Sequence, residues 1–199
     1  MSVDMLTILK WTARFPLRDV LLPGSRNPVP EGTRGIFMWG FDALDREILW
    51  YVGKSVNIRS QLCAHHGYLE RGENQIPKGF LKGRFETLAD VASDWKRDPN
   101  DPRMVEQLRD SNLMGEILRA GRDFANSAYA RIARLGGKSE TELEAIKKAV
   151  IYDLQPFISK RSKSTSHTLR VKHVLAVTES DWLEGWHVTH EMPVEQQII

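Results

Sequence analysis

Apolar residues recur along this chain with several different spacings, and each change of spacing predicts a change of element. From Asp4 to about Thr12, Met5, Leu6 and Leu9, with Val3, fall on one side of a short helix. Pro16, Pro23, Pro28 and Pro30, with Gly24-Ser25-Arg26-Asn27 among them, then break regular structure. Near Arg34 the pattern shifts to a strand, with Ile36, Met38 and Gly40 pointing one way and Phe37, Trp39 and Phe41 the other. A polar turn over residues 42–46 and a return strand from Glu47 to Val52 complete a β-hairpin, which Gly53 ends. Asn57 then suits the N-cap of a helix running to about His66, with Ile58, Leu62 and Cys63 on its inner face.

The stretch from 67 to 123 is punctuated by Pro77, Pro99 and Pro102 and predicts helices over Thr87–Trp95, Pro102–Arg109 and Asn112–Arg119. Phe124–Leu135 reads as a strand closed by Gly136-Gly137. Ser139 followed three residues later by Glu142 is a capping box, and Leu143, Ile146, Val150 and Leu154 continue at helical spacing until Pro156. A strand over Leu169–Val177 and a less regular tail with Trp182 and Trp186 end the chain. The mixture of strands and helices makes the expected fold class α+β. Three regions follow: a lead-in over 1–33, the main domain over 34–159, and a C-terminal segment over 160–199.

With 199 residues, 41% of them apolar, the chain can bury a core of its own. Cys63 is the only cysteine, which excludes an intrachain disulfide and argues against a cysteine-based zinc site. No apolar run approaches the roughly 20 residues that cross a bilayer, and no basic flank precedes the apolar stretch after Met1, so a cytoplasmic protein is expected. A net charge of +2 says nothing by itself about nucleic acid, but its placement does. Lys160, Arg161, Lys163, Arg170 and Lys172 form a basic stretch without acids, and Glu179, Asp181, Glu184, Glu191 and Glu195 follow without bases. Such a stretch can neutralise phosphates and release counterions, or it can be solvated surface.

Gly35-Ile36-Phe37 on the first hairpin strand and Tyr51-Val52-Gly53 on the second resemble the paired triplets of the GIY-YIG nuclease superfamily. The order hairpin, helix, third strand, helix ending in Leu-x-Pro is similar too, over residues 34–66 and 124–159, and the resemblance implies a small mixed or antiparallel three-stranded sheet flanked by helices, with a helical insertion at about 67–123. The resemblance implies a nucleic-acid phosphodiester as substrate. It implies tyrosines on both hairpin strands, an arginine and often a histidine on the first helix, and a glutamate on the second that holds one divalent cation. Chemically, such a set positions hydroxide, stabilises phosphoryl charge and anchors the metal.

Residue by residue the match is partial. Phe37 keeps the ring of the first tyrosine without its hydroxyl. The arginine position falls on Gln61, with Arg59 two residues earlier, and the histidine position on His65, followed by His66. Counting back from Val150, Ile151 and Pro156 places the glutamate position at Lys147 and a later asparagine position at Ser159, with Glu144 three residues before the lysine. At about 100° per residue, Lys147 projects at the edge of the stripe made by Leu143, Val150 and Leu154, where its ammonium must snorkel or pair with an anion such as Glu144. A site so charged repels a metal and attracts phosphate.

The first expectation is therefore a degenerate GIY-YIG-like protein that needs no cofactor and binds nucleic acid, DNA foremost, or a protein partner. Its contacts are Lys54, Arg59, Lys147, Lys160, Arg161 and Lys163, with Tyr51 and His65 lining the old cleft. The second is a Mg²⁺- or Mn²⁺-dependent endonuclease using Tyr51, His65, Arg59 and Glu144, the last as metal ligand. A third is a non-catalytic assembly or inhibitor protein that retains only the fold. Gly136-Gly137-Lys138-Ser139 lacks the leading glycine of a phosphate-binding loop, because that position is Ile132. His187 and His190 are separated by residues that favour strand or coil, which reads as surface histidines. Trp39 and Trp50 on the hairpin read as cross-strand packing in preference to base-stacking surfaces.

Overall fold

The computed structural model describes residues 5–95, 111–154, 156–158 and 186–191. Its frame is the predicted hairpin, strands β3 (Gly35–Ala43) and β4 (Arg46–Ser55). Ala43 pairs with Arg46, so the loop is two residues long, and Leu44 and Asp45 both take φ of +55°. That is the geometry of a type I′ turn, whose twist matches the flanking strands. Gly53 does not end β4, which continues through it to Ser55.

Among the described residues the sheet has four antiparallel strands, against the three expected: β2 (Phe15–Pro16), β7 (Tyr129–Arg134), β3 and β4, neighbours in that order. β7 pairs with β3, and the additional strand is the two-residue β2 on the outer edge of β7. A two-residue edge strand containing proline carries no period that a sequence pattern can register. β4 forms the opposite edge, where the Leu49 and Trp50 carbonyls accept hydrogen bonds from the Phe157 and Ile158 amides.

Both faces of β3 are buried, as its alternation requires. Phe37, Trp39 and Phe41 pack with α1 (Ile58–Glu70) and α3 (Ser111–Ser127). Ile36 and Met38, joined by Val52, pack with Leu143, Ile146 and Val150 of α4 (Glu140–Leu154) and with Leu9 and Trp11. The result is a three-layer sandwich, helix on sheet on helix. A bulge interrupts the hairpin: Trp39 pairs with Tyr51 and Gly40 with Leu49, so Trp50 is the extra residue. Trp50 and Tyr51 therefore both turn toward the α1/α3 layer, and the Trp50 indole stacks on Phe157 at 5.0 Å and meets Phe124 edge-on at 5.5 Å. A Cβ at Gly40 would overlap the Ile48 carbonyl, so the bulge needs glycine there.

Asn57 caps α1 as predicted, its side chain accepting from the Ser60 amide, and the helix runs on to Glu70. The capping box of α4 forms as well: the Ser139 amide donates to Glu142 at 2.7 Å and the Glu142 amide to the Ser139 hydroxyl at 3.2 Å.

Other expectations are corrected. Residues 4–12 are not helical: β1 (Met5–Lys10) is a strand parallel to β8 (Trp186–Glu191), extended by a bridge from Trp11 to Ala133. Burial alternates there, with Ile8 and Lys10 exposed and Leu9 and Trp11 buried, a period of two that the cluster Met5-Leu6 obscures. Thr87–Trp95 is a 3₁₀ turn (Leu88–Val91) followed by β6 (Ser93–Trp95), which pairs with β5 (Ile76–Pro77) ahead of the short helix α2 (Lys78–Lys82). Asp90 explains this, since its carboxylate accepts from the Glu86 and Thr87 amides and the Thr87 hydroxyl and so closes a local loop in place of a helix. The strand expected from Phe124 begins only at Tyr129, because α3 extends to Ser127 and puts Ile117, Ala120 and Phe124 on one buried face. The helix expected over 102–109, the strand over 169–177 and Trp182 lie outside the described residues.

Candidate functional site

The second triplet lies in the C-terminal half of the edge strand β4, with Val52 and Gly53 buried, and packing explains its glycine. A Cβ on Gly53 would overlap the Phe37 ring, which lies across β4 at this point. Gly35, at φ +151°, passes so close to the Ala133 carbonyl that no side chain fits. The two motif glycines thus bring β4, β3 and β7 together where Phe37 sits, with Phe37 itself a core ring.

Tyr51 and His65 are joined by this packing. Their ring centroids are 4.9 Å apart, and the imidazole also lies 5.7 Å from Phe37 and 5.9 Å from Trp39. His65 Nδ1 is buried without a hydrogen-bond partner, and desolvation lowers the imidazole pKa to about 4, so the ring is neutral at pH 7. Burial raises the Tyr51 phenol, and the neighbouring Glu144 charge raises it further. His66 is buried on the other side of α1, its Nδ1 3.5 Å from Glu70.

Strand alternation sends Lys54 to the opposite face, with Val52, toward α4. Its ammonium lies 3.2 Å from Glu140 and 3.8 Å from Glu144. Lys147 reaches the same Glu144 oxygen at 2.8 Å. Two ammoniums therefore converge on one carboxylate, with the Tyr51 phenol close enough to feel its charge. Burial works to raise the Glu144 pKa, but the hydrogen bond and charge of Lys147, with Lys54 and Lys148 behind it, outweigh that and hold it below the usual carboxylate value.

Not every expected contact residue reaches this corner. Arg59 is on the other flank of α1, bound to Glu31 at 3.0 Å and to the Leu22 carbonyl at 3.4 Å, about 160° round the helix from Gln61. Gln61 is exposed one turn before His65, so the position eight residues past Gly53 does face the site, with an uncharged amide. Lys160, Arg161, Lys163 and Ser159 lie outside the described residues. The ion pair of Lys54 with Glu140 went unread in the sequence, although counting two residues on from Val52 points Lys54 at the helix carrying Glu140.

The donor set does not fit a divalent cation. Among the described residues no group of three or more histidine, cysteine, aspartate or glutamate side chains is arranged to hold one. Glu144, the single acid beside Tyr51, is already neutralised by lysine. Among the described residues no helix is long and apolar enough to cross a membrane. Comparison of the chain with protein-family models, with curated proteins and with solved structures finds no match.

Proposed function

We propose that this chain is a GIY-YIG-like protein whose cleft binds the phosphates of nucleic acid, DNA foremost, without efficient cleavage. The observation that carries the reading is the convergence of Lys54 and Lys147 on one oxyanion, the Glu144 carboxylate, at the sheet edge beside Tyr51. Two ammoniums placed around one oxyanion can take a phosphate oxygen in its place. Gly35 and Gly53, with the order of hairpin, helix, third strand and helix, support the GIY-YIG likeness.

Cleavage by the family route lacks parts. Gln61 cannot offset phosphoryl charge, and loss of such a donor costs roughly 10²-fold or more in rate. Arg59 would have to leave Glu31 and cross to the other flank of its helix. An endonuclease built from Tyr51, His65, Arg59 and Glu144 would need all of these rearrangements at once. A role in protein assembly finds no specific support at this site.

The test is a mobility shift with labelled duplex DNA alongside a supercoiled plasmid incubated with Mg²⁺ or Mn²⁺. The expected result is a shift that weakens steeply above about 50 mM salt and a plasmid left intact. Metal-dependent cutting lost in Glu144→Ala would establish the endonuclease instead. Absence of any shift at low salt would remove the nucleic-acid reading.

A further inference from the structure

We infer that Glu144 is an internal stand-in for phosphate: its carboxylate occupies the oxyanion position between Lys54 and Lys147, and a nucleic-acid phosphodiester enters by displacing it. The inference rests on the phosphate-binding reading of the same cleft and adds how that cleft is controlled. Lys147 donates a hydrogen bond to one Glu144 oxygen at 2.8 Å, and Lys54, whose nearer partner is Glu140 at 3.2 Å, stands 3.8 Å from that same oxygen, so two ammoniums flank one carboxylate. Their side chains are only 24% and 21% exposed, so both lysines are held largely against the fold. The Glu144 side chain is 35% exposed and rooted one turn into α4, so it can rotate into solvent without disturbing the core contacts of Leu143 and Ile146. Glu140, one turn earlier on the same face and 62% exposed, restrains Lys54 in the same way.

The exchange conserves charge. A phosphodiester carries one negative charge, as a carboxylate does, so a single phosphate gains little by replacing a tethered acid. A polyanion that brings further contacts along the backbone can displace Glu144 and hold both lysines. The cleft should therefore discriminate between extended nucleic acid and isolated phosphate esters, with Glu144 setting the threshold.

Fluorescence anisotropy of a short labelled DNA duplex, titrated with the full chain at about 50 mM salt, tests this. Glu144→Gln should bind roughly tenfold more tightly than the unaltered protein, because a carboxylate facing the incoming phosphate is removed. Glu140→Gln should give a smaller gain in the same direction, which keeps the test decisive if the first variant folds poorly by thermal unfolding. Lys147→Gln should weaken binding and lower the steepness of its salt dependence by about one. If Lys147→Gln weakens binding while neither glutamate variant strengthens it, the phosphate cleft stands and the displacement mechanism falls. If neither the unaltered chain nor any variant binds, both fall together.

Discussion

His65 illustrates how far a single side chain departs from its sequence motif once packed. Its place in the series counted from Gly53 was visible in the chain, but its neutrality comes from Phe37, Trp39 and Tyr51 closing round it. Unfolded, the imidazole takes its proton near the ordinary 6.5; folded, near 4. Between those values the unfolded chain binds the additional proton, so acidification favours unfolding. This contribution is fully present above about pH 6.5 and is lost as the pH falls toward 4, amounting to at most about 3 kcal/mol. His65→Phe should flatten the pH dependence of stability in that window, as followed by urea denaturation at a series of pH values. An unchanged slope would mean that the folded imidazole is protonated normally. Asp90 and Glu142, both held near a pKa of about 2 by hydrogen bonds, the first chiefly from the Thr87 amide and the second from the Ser139 amide, lose their stabilisation from their ordinary values of 3.8 and 4.5 downward, mostly below the histidine window, and do so in both proteins. Lys147 was more fully legible, because helical angle alone placed it at the edge of an apolar stripe and named Glu144 as its partner.

Among the elements, those whose ends carry local chemistry were read well. The hairpin has alternation and a polar turn, α1 has Asn57, and α4 has both the capping box and a stripe of Leu143, Ile146 and Val150. Ser139→Ala should cost about 1 kcal/mol in thermal or chemical unfolding, since it leaves the Glu142 amide without its acceptor. A loss indistinguishable from zero would mean that packing of α4 on the sheet alone fixes where the helix starts. Elements defined by distant partners were misread. β1 exists because β8 lies beside it, and six residues of mixed spacing cannot announce a partner about 180 positions away. The β4 bulge was equally hidden, although it decides that Trp50 and Tyr51 share a face and so sets the aromatic wall of the site. Ala-rich sequence between Phe124 and Ala133 fits helix or strand alike; packing of Phe124 against Trp39 and Trp50 keeps the chain helical to Ser127, and pairing with β3 makes it a strand from Tyr129.

At the scale of the whole molecule, α1 and α4 cover opposite faces of one sheet, and the site forms where their residues meet around the edge strand β4. Tyr51 and His65 come from the α1 side, Lys54, Glu144 and Lys147 from the α4 side. The charges at this junction are the Lys54 and Lys147 ammoniums flanking the Glu144 carboxylate. Manganese uptake tests that account most directly, through the electron paramagnetic resonance signal of free Mn²⁺ as the protein is added. The signal should remain undiminished at equimolar protein, because Lys54 and Lys147 already compensate Glu144. Stoichiometric loss of the signal that Glu144→Ala abolishes would contradict the account and return the site to metal chemistry.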